Sequence, residues 1–105
     1  MATDWAHVAS PEHRTEPRDE VHHRARATDI AAGCPLPMLI VNMSPHGMMA
    51  RCEVPLSIGD RLRIVLPAVG ARVAEVRWAL GGRIGCQFDQ PVAIGDYVSA
   101  LSAMR

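Results

Sequence analysis

Lysine is missing from this chain: all 11 basic side chains are arginine, and 11 acidic ones balance them. The resulting formal charge of zero lacks the basic excess that a protein gripping nucleic-acid phosphates would carry. Aromatic residues make up only 4%, too few for the stacking platforms of a single-strand binder. No nucleic-acid partner is therefore expected. The three cysteines, Cys34, Cys52 and Cys86, are odd in number and form no CxxC pair, which argues against a disulfide framework and against structural zinc. His22 and His23 are neighbours; on a strand they would face opposite ways and could not share an ion with Cys34, so no metal site is expected. No apolar run approaches the roughly 20 residues of a spanning helix, and the start of the chain lacks a basic-then-apolar signal pattern. A soluble, cytoplasmic protein without membrane insertion is the expectation.

What the chain does have is enough apolar content, 49% of 105 residues, for one modest core. Residues 1–13 are polar and without a sustained period, and read as a flexible tail; residues 14–105 read as the folded domain. Alternation then predicts strands at Val21–Ala27, Pro37–Asn42, Gly47–Val54, Arg61–Leu66, Arg72–Leu80 and Arg83–Phe88. The inward sets are His23/Ala25/Ala27, Met48/Ala50/Cys52/Val54, Leu62/Ile64/Leu66, Ala74/Val76/Trp78 and Ile84/Cys86/Phe88. Gly81-Gly82 is a hairpin signal. The period changes after Val92, where Ile94, Tyr97, Val98, Leu101 and Met104 fit one helical face and predict a helix covering an end or flank through Ile94, Val98 and Leu101. Short strands at regular spacing imply an antiparallel sandwich or barrel.

Two segments carry candidate chemistry. Arg14-Thr15-Glu16-Pro17-Arg18 sets two guanidiniums four positions apart ahead of the first strand, and Asn42-Met43-Ser44-Pro45-His46-Gly47 reads as a turn between apolar runs. Planar, always-charged donors together with an Asn/Ser/Gly turn suit a phosphorylated, guanine-like ligand. Ser44 and His46 have no acidic partner and no oxyanion motif, so catalysis is not expected and no catalytic residue is assigned.

With RxxxR before the first strand and [D/N]xSxxG after the second, the chain resembles the PilZ domain family, bacterial receptors for cyclic di-GMP. The segment around Trp78, Gly85 and Phe88 is similar to that family's closing strands. The resemblance implies an all-β fold, a six-stranded antiparallel barrel with a C-terminal α-helix. It also implies cyclic di-GMP as ligand, with no further cofactor. Arg14 and Arg18 would hold phosphate oxygens and guanine acceptors, Asn42 would meet a guanine edge, Ser44 would donate to the ligand or brace the turn, and Gly47 would allow close backbone approach. A shifted pairing of Arg18 with Arg24 is also open. Asn42 stands where many members have Asp, and Glu12 and Glu16 sit close enough in sequence to compete for the arginines. The functional expectation is a cyclic di-GMP-binding receptor acting in trans on a downstream protein. The alternative is a degenerate adaptor that works by protein contact alone.

Overall fold

The computed structural model describes residues 17–105. The tail reading for residues 1–13, and Arg14 with it, lie outside the described residues. Among these residues the elements are β1 (Asp19–Ala25), β2 (Ala27–Asp29), β3 (Met38–Ser44), β4 (Gly47–Cys52), β5 (Arg61–Leu66), β6 (Gly70–Leu80), β7 (Arg83–Phe88) and the helix α1 (Ile94–Met104). All strand pairs are antiparallel, in the order β1-β3-β4-β7-β6-β5-β2.

The two ends of that order are one stretch of chain. β1 lies against β3 on one edge, and after the single residue Arg26 the chain continues as β2 against β5 on the other. The Arg26 carbonyl still accepts the Val65 N–H at 3.0 Å, so the break leaves no backbone acceptor stranded there. The sheet is curled until its first strand meets both edges, giving an all-β barrel with a C-terminal helix. The six strands expected from sequence become seven because the first changes partner midway. Its alternation runs through the break unaltered: Val21, Ala25 and Ala27 are buried, while His22, Arg24 and Arg26 are exposed.

The core fills the barrel. Leu62, Ile64 and Leu66 of β5 and Ile84, Cys86 and Phe88 of β7 are buried, as their alternation predicts. On β4 the inward set ends at Cys52; the strand stops there, ahead of Pro55, and Val54 is 41% exposed. Gly81 and Gly82 both hold positive φ, 62° and 78°, which is what the two central residues of a tight hairpin between twisted strands require.

Three strand registers are irregular. Irregular registers between Glu20 and His23, between Ile40 and Asn42, and between Val76 and Trp78 each insert one extra residue. The third turns Trp78 away from the interior: Ala74 and Val76 are fully buried, but Trp78 is only half-buried and belongs to the outer face. In α1 the buried face is Tyr97, Ala100, Leu101 and Met104, while Ile94 and Val98 are 71% and 56% exposed. The helix is rotated from the expected stripe so that the Tyr97 hydroxyl reaches polar partners on the barrel and the small Ala100 meets it closely.

Burial, together with the neighbouring Cys52, pushes the Cys86 thiol up to about 12, so at neutral pH it is a protonated core atom. Cys34 is exposed, whereas Cys52 and Cys86 are buried. Iodoacetamide at neutral pH should therefore modify Cys34 in the folded protein and reach the other two only after denaturation. Mass spectrometry of the labelled peptides checks this, and modification of native Cys86 as fast as Cys34 would contradict the packing.

Candidate functional site

The β3–β4 connection is tighter than the six-residue turn expected. Asn42, Met43 and Ser44 belong to β3, Ser44 pairs with Gly47, and only Pro45 and His46 form the turn. Proline fixes φ where the chain reverses. The Ser44 hydroxyl, 2% exposed, accepts the His46 N–H at 3.2 Å and so braces the turn from inside. The carbonyls of Pro45 and His46 accept from Val92 and Phe88, both at 2.8 Å, which ties the turn to the chain leaving β7.

Gly47 meets a packing demand of its own, apart from the ligand approach that its motif position implies. It is not among the glycines with positive φ. A Cβ placed on it would lie 2.2 Å from the Cys86 carbonyl oxygen. The close approach is thus made by the β7 backbone, and that demand exists with or without a ligand.

Asn42 follows the extra residue in β3 and is half-buried on the outer face. Arg18, 24 positions earlier and also half-buried, donates from Nη1 to Asn42 Oδ1 at 3.4 Å. This meeting follows from register, because Glu20 pairs with Asn42 and Asp19 with Met43. The two candidate segments are therefore brought together by the β1–β3 pairing as far as the described residues reach. The alternative partner, Arg24, pairs with Leu39 farther along β3 and is exposed.

Two neighbours escaped the sequence reading. The Asn42 amide nitrogen lies 3.5 Å from the Met49 sulfur, and Met49 is half-buried on the same face. Next across the sheet comes Gly85, paired with both Met49 and Trp78. A Cβ on Gly85 would stand 2.0 Å from the indole Nε1, so the Trp78 ring occupies the space a side chain would otherwise take. Arg18, Asn42, Met49 and Trp78 thus follow one another across the outer face, polar at one end and apolar at the other. The signal available in the sequence was Gly85 itself, since glycine inside a strand marks close approach by another group.

Beside Arg18, Asp19 ties β1 to α1. The Tyr97 hydroxyl lies 2.5 Å from Asp19 Oδ2 and 2.9 Å from the Met43 carbonyl, and Arg105 Nη2 donates to Asp19 Oδ1 at 3.2 Å. The residue after the candidate ligand-holding arginine is therefore clasped by the helix. Among the described residues no group of three or more His, Cys, Asp or Glu is arranged to hold a metal ion. No helix among them is long and apolar enough to cross a membrane.

The two motif residues that shape the turn should separate in a urea titration. Gly47→Ala drives a methyl into backbone and should lose about 1–3 kcal/mol, whereas Ser44→Ala removes one brace and should lose about 1 kcal/mol. A Gly47→Ala protein as stable as wild type would refute the contact with β7. Neither any protein-family model nor any curated protein matches the chain, so the functional reading rests on this geometry and on the motif resemblance.

Proposed function

We propose that this protein is a PilZ-type receptor for cyclic di-GMP whose occupancy is read by a protein partner. The observation that carries the reading is the Arg18–Asn42 contact, in which a guanidinium from the residue just before β1 meets a carboxamide on β3. A guanidinium supplies paired donors for phosphate oxygens and for the O6 and N7 acceptors of guanine. A carboxamide offers both a donor and an acceptor to a guanine edge. The Met49 sulfur and the Trp78 indole extend this polar corner with a soft apolar surface, suited to the face of a base.

The ligand carries two phosphates. Four or five charge-assisted bonds at about 1.5–3 kcal/mol each, reduced by ordering costs, correspond to micromolar binding near −8 kcal/mol. Arg18 is adjacent to Asp19, so a ligand that repositions Arg18 acts on the carboxylate that Tyr97 and Arg105 hold. A change in that clasp alters how α1 sits on β1, and with it the surface that a partner meets.

The same contact favours a second reading. Asn42 already receives a bond from Arg18, and a ligand must displace or share it. A protein that keeps this contact permanently would be an adaptor with no nucleotide response. A thermal melt separates the two, because a ligand that binds only the folded state must raise the midpoint.

Isothermal titration with cyclic di-GMP tests the proposal directly. Wild type should give a saturable micromolar isotherm, and Arg18→Ala and Asn42→Ala should each weaken it by about tenfold or more. Retention of fold is checked by circular dichroism. Absence of binding by wild type, or equal binding by Arg18→Ala, would overturn the receptor reading.

A further inference from the structure

A second row crosses the outer face nearer the opposite end of β3 and β4, and it is built differently. Arg24 of β1 pairs with Leu39 of β3, Leu39 with Arg51 of β4, Arg51 with Arg83 of β7, and Arg83 with Leu80 of β6. Directly paired residues share a face, so these five side chains form one line. Arg24, Arg51 and Arg83 are exposed, Leu39 is half-buried, and Leu80 is 80% exposed.

Among the described residues no carboxylate is paired with the charges of this line. Elsewhere on the barrel Arg61 is bonded to Asp89 and lies 3.7 Å from Glu75, while Arg105 is 3.2 Å from Asp19. Arg24, Arg51 and Arg83 make no ion pair among the described residues. Arg51 and Arg83 face each other directly across β4 and β7, an arrangement of like charges that disfavours the sheet unless an anion lies between them. Beside Arg83, at the rim of the barrel, a groove of about 270 Å³ is lined by Val54, Pro55, Ala79 and Leu80 and reaches the inward-facing Cys52 and Ile84, with Glu53 its single carboxylate.

We propose that this row docks an acidic amphipathic helix of a protein partner, with its carboxylates on Arg51 and Arg83 and an apolar side chain in the groove beside Leu80. Adjacent strands are about 4.8 Å apart and a helix rises about 5.4 Å per turn, so a helix lying across the strands offers roughly one side chain per strand. β3, β4, β7 and β6 all lie inside the sheet order, with both edges already paired, so an added strand has no free edge there. Zero net charge and few aromatics disfavour nucleic acid. The proposal is independent of the nucleotide reading, since Arg18 and Asn42 take no part in this row.

The test uses a fluorescein-labelled helical peptide bearing Glu and Leu on one face, with a Gln-for-Glu counterpart, and reads fluorescence anisotropy. Wild type should bind the Glu peptide and not its Gln counterpart, with affinity falling as salt rises. Arg51→Ala/Arg83→Ala should weaken binding about tenfold, and Leu80→Ser should weaken it severalfold. These side chains are exposed, so melting midpoints near wild type should accompany the losses. No binding of the Glu peptide, equal binding by the double variant, or tighter binding to phosphatidylglycerol vesicles or duplex DNA would overturn the proposal. The double variant should also respond to cyclic di-GMP as wild type does; selective loss of that response would assign the row to the nucleotide and overturn it as well.

Discussion

The chain crosses from one edge of its own sheet to the other around a single residue, Arg26, and the remaining geometry follows from that crossing. β1 must reach β3 and β2 must reach β5, so the sheet between them has to curl. The pairing that satisfies the β3 edge also sets Asp19 opposite Met43 and Glu20 opposite Asn42. Arg18 consequently arrives beside Asn42, and Asp19 arrives beneath the Tyr97 hydroxyl. One act of sheet closure thereby positions both the candidate ligand corner and the helix that adjoins it.

The turn after β3 is rigid before any ligand is considered. Ser44 is bonded from within, the two turn carbonyls are taken by Phe88 and Val92, and Gly47 lies directly on the β7 backbone. A motif that looks like a binding loop is therefore also a packing solution. The Ser and Gly shape the hairpin, and Asn42 is the member left on the outer face to meet another group. The arginine row near the other end of β3 and β4 is separate in residues: among the described residues Arg24, Arg51 and Arg83 make no ion pair, whereas Arg61 and Arg105 have carboxylates.

Much of the barrel was legible because burial on one face writes alternation into a strand. Leu62/Ile64/Leu66 and Ile84/Cys86/Phe88 needed nothing more, and Gly81-Gly82 announced its hairpin. Extra residues in a strand defeat the same logic, since one insertion reverses every later side chain. That is why Trp78 reads as core from sequence and stands outside in the fold; Ser44 reads as turn for another reason, the Asn, Ser, Pro and Gly around it, yet belongs to β3. The helix was legible in place and length but not in rotation. Its apolar positions span more than one face, and the choice among them is made by a hydroxyl's need for partners, which a hydrophobic pattern does not encode. The approach of Arg18 to Asn42 was an implication of the motif resemblance; the proximity of Met49 and Trp78 was not, because it depends on cross-strand register.

Tyr97 is the chain's single tyrosine. The ring that joins α1 to Asp19 and to the Met43 carbonyl therefore has no spectral double. Its aromatic NMR resonances belong to one place in the molecule, at the junction of helix, first strand and third. The protein thus carries an intrinsic reporter at that junction, and undocking of the helix can be followed there without attaching a label.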